Sequence, residues 1–256
     1  MTETIQAVDR ALQILETTGR AGSISLAELS NMIRVNKASL SRLVRTLVQN
    51  GYLIKNETDG SYSLTLKAYE IGLNSVRNMN QLSLIHSALA DLNKRTGGTA
   101  QFSVEDNDQL LCLQSVGTEA ISFSLFTSVG RRSPLYSTGA GKALLSTYPS
   151  ADLIEKWNHM HVVAVTEHTQ TDLRLFLREM DVIRRRGYAV DREESEYHLY
   201  CVGTAIMDDT SQPIGAISVS TNRLTGQEEE ETGSMVRAEG RRISRLLGYE
   251  GRPGGT

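Results

Sequence analysis

The chain has 256 residues, 39% of them apolar and 22% charged, with a net charge of −3; these values are ordinary for a soluble globular protein with room for two domains. No apolar run approaches the ~18 residues that a membrane span needs, and the first residues lack the basic and apolar regions of a secretory signal. Two cysteines, Cys112 and Cys201, are too few for a disulfide scaffold. We therefore expect a cytoplasmic protein without membrane contact.

The charge is unevenly distributed along the chain. Residues 29–56 contain no Asp or Glu, yet all of the following fall there: Arg34, Lys37, Arg42, Arg45 and Lys55. A local basic surface on an acidic protein is typical of nucleic-acid binding. The alternative is a solvated basic face without a partner.

Three helices are predicted in the N-terminal part. Residues 5–19 form the first, an S-x-x-E capping box at Ser25 opens the second over 26–33, and Asn36 caps the third over 37–50. The first helix is predicted to be amphipathic because these apolar residues recur at helical spacing: Ile5, Val8, Leu12 and Leu15.

The third helix is predicted to read DNA. An apolar stripe must face the core, which leaves an acid-free face of Ser, Lys and Arg that suits a major groove. Arginine can fork onto guanine, while Ser and Lys reach phosphates or base edges, and Ala38 keeps the first turn slim enough for close approach. The predicted DNA-binding residues are Ser25, Asn36, Lys37, Ala38, Ser39, Ser41, Arg42 and Arg45.

A β-hairpin follows the third helix. Residues 52–54 and 61–64 are predicted strands around an Asp59-Gly60 turn. Helix, turn, helix and hairpin define a winged helix-turn-helix domain over residues 1–65. Short helices of this kind also occur in protein-docking modules that bind no DNA, and that alternative stays open.

Apolar side chains at helical spacing predict a linker helix over 66–80. Beyond it, strands and helices with a crossed-over order predict an α+β sensor domain over 81–250, and residues 251–256 are predicted to be a disordered tail. Predicted helices cover 82–95, 139–145, 171–186 and 225–247, and predicted strands cover 100–105, 109–116, 121–126, 189–190, 201–207 and 215–220.

Several motifs, in order, resemble the IclR family of bacterial transcription regulators. They read AVDRALQILE, SLAELSNMIRVNKASLSRLVRTLVQNGYL, GSYSLTLKAYEIG, GRRSPLYSTGAGKALL and RRRGYAVDREE, and together they cover nearly the whole chain. The resemblance implies a GAF/PAS-like effector-binding domain after the winged helix, and a homodimer or a dimer of dimers. A single winged helix makes few DNA contacts, so a dimer that binds two paired half-sites would bind more tightly.

Three features of the larger domain suggest a ligand site. The segment at 138–142 is not a Walker loop, because that motif needs Gly at position 136 and Ser or Thr at position 143, where this chain has Tyr136 and Ala143. Its small residues form a turn that enters a helix, and the free backbone N–H groups at such a helix start suit a carboxylate. Its glycines are alternatively explained by tight packing. Asp191 can accept a ligand hydrogen bond, and Ser218 and Ser220 share one strand face.

The resemblance implies that these positions line an effector pocket for a small organic, sugar or aromatic acid. Relatives often read Gly-x-Arg-Cys where this chain has His198-Leu199-Tyr200-Cys201, so we expect bulky His198 and Tyr200 near the mouth to select a different or polyhydroxylated effector. The predicted ligand-binding residues are Ser122, Leu125, Gly139, Ala140, Asp191, Cys201, Ser218 and Ser220.

These expectations describe a DNA-binding transcription regulator, a repressor that is not an enzyme and needs no cofactor or metal. The alternative from another class is a thiol-dependent enzyme on a GAF-like domain using Cys201. A zinc site at His159, His161 and His168 has only a weak H-x-H signal. Arg184 to Arg186 fit a helix C-terminus.

Overall fold

The computed structural model describes residues 5–76, 81–117 and 129–251. The chain divides into two compact units, Met1–Asn80 and Gln81–Thr256. The predicted linker helix falls in the first unit. The predicted strand over 121–126 lies outside the described residues, as does all of the predicted tail except Gly251.

The first unit contains the predicted helices and hairpin. The capping box at Ser25 and the Asn36 cap are both formed, which confirms the predicted starts of the second and third helices. The elements are α1 (Gln6–Ala21), α2 (Leu26–Ile33), α3 (Lys37–Gln49), β1 (Leu53–Lys55), β2 (Tyr62–Leu64) and α4 (Leu66–Val76), with β1 and β2 antiparallel.

Most of the apolar stripe predicted for α1 lies outside the core of this unit, although Leu15 packs against that core. Ile5, Val8 and Leu12 are 72%, 52% and 54% exposed, whereas Ile14 and Thr18, one turn apart, are buried against the other helices. Periodicity thus predicted an amphipathic helix correctly, but most of the stripe faces solvent because α1 packs through a neighbouring face.

The second unit is built on one antiparallel sheet of six strands in the order β5-β4-β3-β8-β7-β6. Its strands are β3 (Thr99–Asp106), β4 (Gln109–Val116), β5 (Arg132–Pro134), β6 (Ala189–Arg192), β7 (Tyr200–Met207) and β8 (Pro213–Thr221). Its helices are α5 (Leu82–Thr96), α6 (Gly139–Leu145), α7 (Ser150–His159), α8 (Leu173–Arg186) and α9 (Gly226–Leu246). The sequence reasoning missed β5 and α7, and it placed Asp191 after a strand that includes it.

Helices cover both faces of β7. A methyl group added at Gly203 would lie 2.7 Å from the backbone nitrogen of Ala140 in α6, and one added at Gly240 in α9 would lie 2.4 Å from Thr204 Cγ2. Side chains at 203 and 204 point to opposite faces of the sheet. The first turn of α6 and the middle of α9 therefore pack on opposite sides of the same strand, and only glycine permits either approach.

Within the described ranges, no helix is long and apolar enough to cross a lipid bilayer.

Candidate functional site

The free face of α3 is basic and open to solvent. Leu40, Val44 and Leu47 bury one side of the helix. None of Lys37, Arg42 and Arg45 forms an ion pair among the described residues. The exposed predicted residues are Asn36, Lys37, Ala38, Ser41, Arg42 and Arg45, and Ser39 is partly exposed.

The two caps hold this face in place. Asn36 Oδ1 accepts a hydrogen bond of 2.9 Å from the Ser39 backbone N–H. Ser25 Oγ accepts one of 3.3 Å from the Glu28 N–H, while the Glu28 carboxylate accepts from Ser25 N. Each cap satisfies backbone donors at a helix start and fixes where the helix begins.

The second unit contains a partly open cavity of about 30 Å³ between the sheet and the first turn of α6, and most of its lining residues are polar. Every strand of the sheet contributes to its wall, because strand pairing sets Gln101 opposite Ser218 and sets Cys201 opposite both Ser220 and Asp191. The lining residues are Gln101, Ser103, Leu110, Cys112, Arg131, Ser133, Thr138, Ala140, Asp191, Ser195, Leu199, Cys201, Ser218 and Ser220.

Five of the eight predicted ligand residues meet in this cavity: Ala140, Asp191, Cys201, Ser218 and Ser220. Gly139 is not among the lining residues and packs instead against β7, where a methyl group would lie 2.6 Å from the Cys201 carbonyl oxygen. The tight-packing alternative therefore accounts for this glycine. Ser122 and Leu125 lie outside the described residues.

The prediction that His198 and Tyr200 crowd the cavity mouth is wrong. The His198 side chain is 91% exposed, and the Tyr200 hydroxyl donates a 2.8 Å hydrogen bond to Glu193 Oε2. Cys201 points inward, so its strand neighbour Tyr200 must point outward, and Leu199 takes the wall position instead. These two side chains therefore give no reason to expect an unusual effector.

Sequence reasoning missed other wall residues, which include Gln101, Ser103, Ser133 and Arg131. One signal was available: Gln101 and Ser103 alternate with apolar neighbours on β3, as Ser218 and Ser220 do on β8. Strand β5, which carries Ser133, is only three residues long and gives no periodic signal.

The two thiols in the wall pair with hydroxyl and amide groups. Ser218 and Ser220 hydrogen-bond the Cys201 thiol, and burial is the main cause that raises its pKa. The Cys112 thiol has Ser103 and Gln101 as partners, and burial raises its pKa as well. A thiol kept protonated is a poor nucleophile, so neither geometry favours the enzyme alternative.

Asp191 organises the wall beside Cys201. Its Oδ1 accepts a 2.7 Å hydrogen bond from Glu194 N, and its Oδ2 accepts one of 2.5 Å from the Ser195 hydroxyl. Burial raises the pKa of this carboxyl group to about 6. A carboxylate offers about four acceptor positions, so Asp191 ties the turn and keeps capacity for a ligand donor.

A buried charge cluster lies behind this wall. Lys142 of α6 is fully buried, and its Nζ lies 2.7 Å from Glu179 Oε1 and 2.5 Å from Glu194 Oε1. Glu194 Oε2 is buried without a hydrogen-bond partner in the described part of the chain. These partners are 37 and 52 residues from Lys142 along the chain, so no local pattern predicts the cluster. In the sequence, Lys142 stood out only as part of the segment that does not match a Walker loop.

The cluster predicts a pH-dependent stability. Burial raises the pKa of Glu194 from 4.5 to about 7 despite the lowering effect of Lys142. The folded state thus binds this proton more tightly than the unfolded state, and the stabilisation present below pH 4.5 is lost as pH rises through about 7. Because Asp191, whose pKa is raised to about 6, adds a loss of the same sign at lower pH, we expect Glu194→Gln to reduce the loss measured by urea unfolding and not to abolish it. Equal pH slopes for the two proteins would contradict it.

The chain combines a winged helix that has an open basic face with an α+β domain built around a cavity. This combination is typical of ligand-responsive DNA-binding regulators. The chain belongs to the IclR family. Residues 7–57 match the IclR helix-turn-helix domain, and residues 73–245 match the bacterial transcriptional regulator IclR C-terminal domain. It is a DNA-binding transcription regulator, as the sequence resemblance indicated.

Relatives with assigned names are also transcription regulators. The HTH-type transcriptional regulator KdgR of Escherichia coli is 27% identical over 98% of this chain and 96% of its own length. The HTH-type transcriptional repressor AllR of Klebsiella pneumoniae is 28% identical over 96% and 91%. An IclR homologue from Microbacterium hydrocarbonoxydans, solved with 4-hydroxybenzoate, has a TM-score of 0.83 at 18% identity, over 94% and 99%. These relatives are regulators or structural homologues of regulators, not enzymes.

Proposed function

We propose that the exposed face of α3 reads operator DNA and that a small carboxylate in the cavity controls operator affinity. The observation that carries this proposal is the convergence of side chains from all six strands on one cavity with mostly polar lining residues. A fold needs no such convergence for stability, because buried polar groups are costly unless they are partnered. The acid-free face of α3 supplies the DNA half of the proposal.

The wall chemistry supports an oxygen-rich anionic effector. The hydroxyl groups of Ser103, Ser218 and Ser220 bond to the Cys112 and Cys201 thiols, and sulfur is a weak hydrogen-bond partner. A ligand oxygen would be a stronger partner, and Arg131 brings a cation to the wall. The ligand of the homologue solved with 4-hydroxybenzoate has both a carboxylate and a hydroxyl group.

The size of the cavity links binding to a change of shape. A cavity of about 30 Å³ holds one or two waters, which is less than an organic acid occupies. We propose that an effector displaces wall residues to fit, and the nearest wall element is the first turn of α6, which packs closely on β7 at Gly203. A ligand that binds one arrangement better than the other shifts the equilibrium between them.

The assembly we propose is a homodimer or a dimer of dimers. Apolar side chains of α1 and α4 lie exposed, which is costly unless a partner covers them. They are Ile5, Val8, Leu12, Leu66, Tyr69, Ile71 and Leu73. By similarity to the AllR repressor, we propose that the dimer represses transcription in the cytoplasm until the effector binds.

A ligand screen followed by two variants tests the effector site. We expect thermal shift to find a stabilising sugar, keto or aromatic acid, and Asp191→Ala to abolish its effect while operator binding remains. Because Asp191 also ties a turn, the pair Ser218→Ala and Ser220→Ala serves as a milder second variant. Exposed Ser234 of α9 supplies the control, Ser234→Ala.

Two results would count against this site. If both variants respond to the ligand like the wild type, the cavity does not bind it. If both lose ligand response and operator binding together, with lower thermal stability, then Asp191 and the two serines are structural only.

A further inference from the structure

One face of α9 carries a stripe of three arginines, Arg237, Arg241 and Arg245, spaced four residues apart. Residues at this spacing are neighbours on a helix surface, and like charges there are destabilising. In the described part of the chain none of the three forms an ion pair, whereas five other arginines of this unit do. The pairs are Arg95–Asp91, Arg132–Asp106, Arg184–Asp181, Arg192–Glu229 and Arg242–Glu239.

The arginine stripe forms one wall of a cleft of about 780 Å³. The other walls are the α6–α7 turn, the C-terminal end of α8, and the edge of β7 over Thr204–Met207, beyond the last residue that pairs with β6. Three aromatic side chains line it: Tyr148, Tyr188 and Tyr249. Glu250 is the one acidic residue among the described lining residues. This cleft shares no lining residue with the effector cavity.

Arg184 also lines the cleft, but its guanidinium is used to build the wall. Its Nε and one terminal nitrogen donate to the Ser146 and Tyr148 carbonyl oxygens, both at 2.9 Å. By contrast, Arg237 donates one bond of 3.0 Å to the Arg186 carbonyl, and Arg245 donates one of 3.3 Å through Nε to the Arg241 carbonyl. Among the residues that the structure describes, most donors of the stripe therefore have no hydrogen-bond partner and can serve a ligand.

The dipole of α9 does not account for the stripe. Cations stabilise a helix C-terminus only within its last turn, and α9 ends at Leu246. Arg245 lies in that turn, but Arg241 and Arg237 lie one and two turns before it. Their placement needs another reason.

We propose that this cleft is a second ligand site, which takes a compact phosphate-bearing small molecule. Arginine forks match phosphate geometry, and tyrosine hydroxyls and rings supply further contacts to the rest of such a molecule. A cleft of about 780 Å³ lies in the size range of small-molecule sites. The site goes beyond the effector cavity and does not depend on it.

Calorimetric titration of the full chain with inorganic pyrophosphate, in a buffer without other multivalent anions, tests the proposal. We expect binding to the wild type and at least tenfold weaker binding to the double variant Arg241→Gln and Arg245→Gln. Glutamine is a good helix former, so the fold should survive, which circular dichroism checks. Arg185→Gln is the control for loss of a positive charge elsewhere, because Arg185 is exposed and outside the cleft.

Three outcomes would overturn the proposal. They are no binding to the wild type, equal binding to the wild type and the double variant, and equal weakening by Arg185→Gln. If pyrophosphate does not bind while the double variant weakens operator binding, the stripe contacts DNA phosphates, and the small-molecule site is wrong.

Discussion

Replacing Arg42 and Arg45 together by alanine is expected to weaken operator binding by ~2–6 kcal/mol, since each base-contacting arginine is worth ~1–3 kcal/mol. That range corresponds to a loss of roughly 30-fold to more than 10⁴-fold in affinity. Both side chains lie on the solvent face of α3, away from buried Leu40, Val44 and Leu47. Folding should therefore be unaffected, and fluorescence anisotropy with an operator duplex measures the loss.

Arg20→Ala is the control for loss of positive charge outside α3. Arg20 is exposed on α1 and, among the described residues, pairs with exposed Glu16, so the variant removes one positive charge away from the predicted interface. We expect it to change operator affinity several-fold less than the double α3 variant. Full operator affinity in the double variant would remove α3 from the DNA interface, and an equal effect of Arg20→Ala would reduce its role to non-specific charge.

Replacing Lys142 by methionine should lower the free energy of unfolding by ~3–5 kcal/mol. Removing one member of a buried ion pair leaves the other charge without compensation, and here Glu179 and Glu194 both lose the ammonium group that contacts them. Urea denaturation at pH 7 measures the change. Exposed Lys94 of α5 supplies the control, and Lys94→Met should stay within ~0.5 kcal/mol of the wild type.

A compensated variant separates charge from packing. Lys142→Met combined with Glu179→Gln and Glu194→Gln removes all three charges, and neutral replacement of a whole buried network is often close to neutral in energy. We expect this triple variant to regain most of the lost stability. If it is no more stable than Lys142→Met alone, the methylene packing of Lys142 is what matters.

Local signals predicted the elements with side-chain caps. Ser25, Asn36 and Thr225 stood out in the sequence, and each accepts the expected backbone hydrogen bond. The missed helix α7 begins after Pro149 with no side-chain cap, so it gave no start signal.

Part of the candidate site followed from strand alternation, as at Ser218 and Ser220. The rest depends on tertiary structure that no local pattern contains. Lys142 meets its partners only after α6, α8 and the turn after β6 come together. The outward direction of Tyr200 depends on which face of β7 meets α6, and the exposed stripe of α1 depends on which face packs against α2 and α3.

Titration of a labelled duplex, taken from the DNA upstream of the chain's own gene, tests the central claim most directly. We predict tight binding at low salt, with the logarithm of affinity falling linearly with the logarithm of salt concentration, and a 5- to 150-fold change on adding a carboxylate that stabilises the effector domain. Failure to bind at low ionic strength, or an affinity that neither salt nor such a ligand alters, would contradict it.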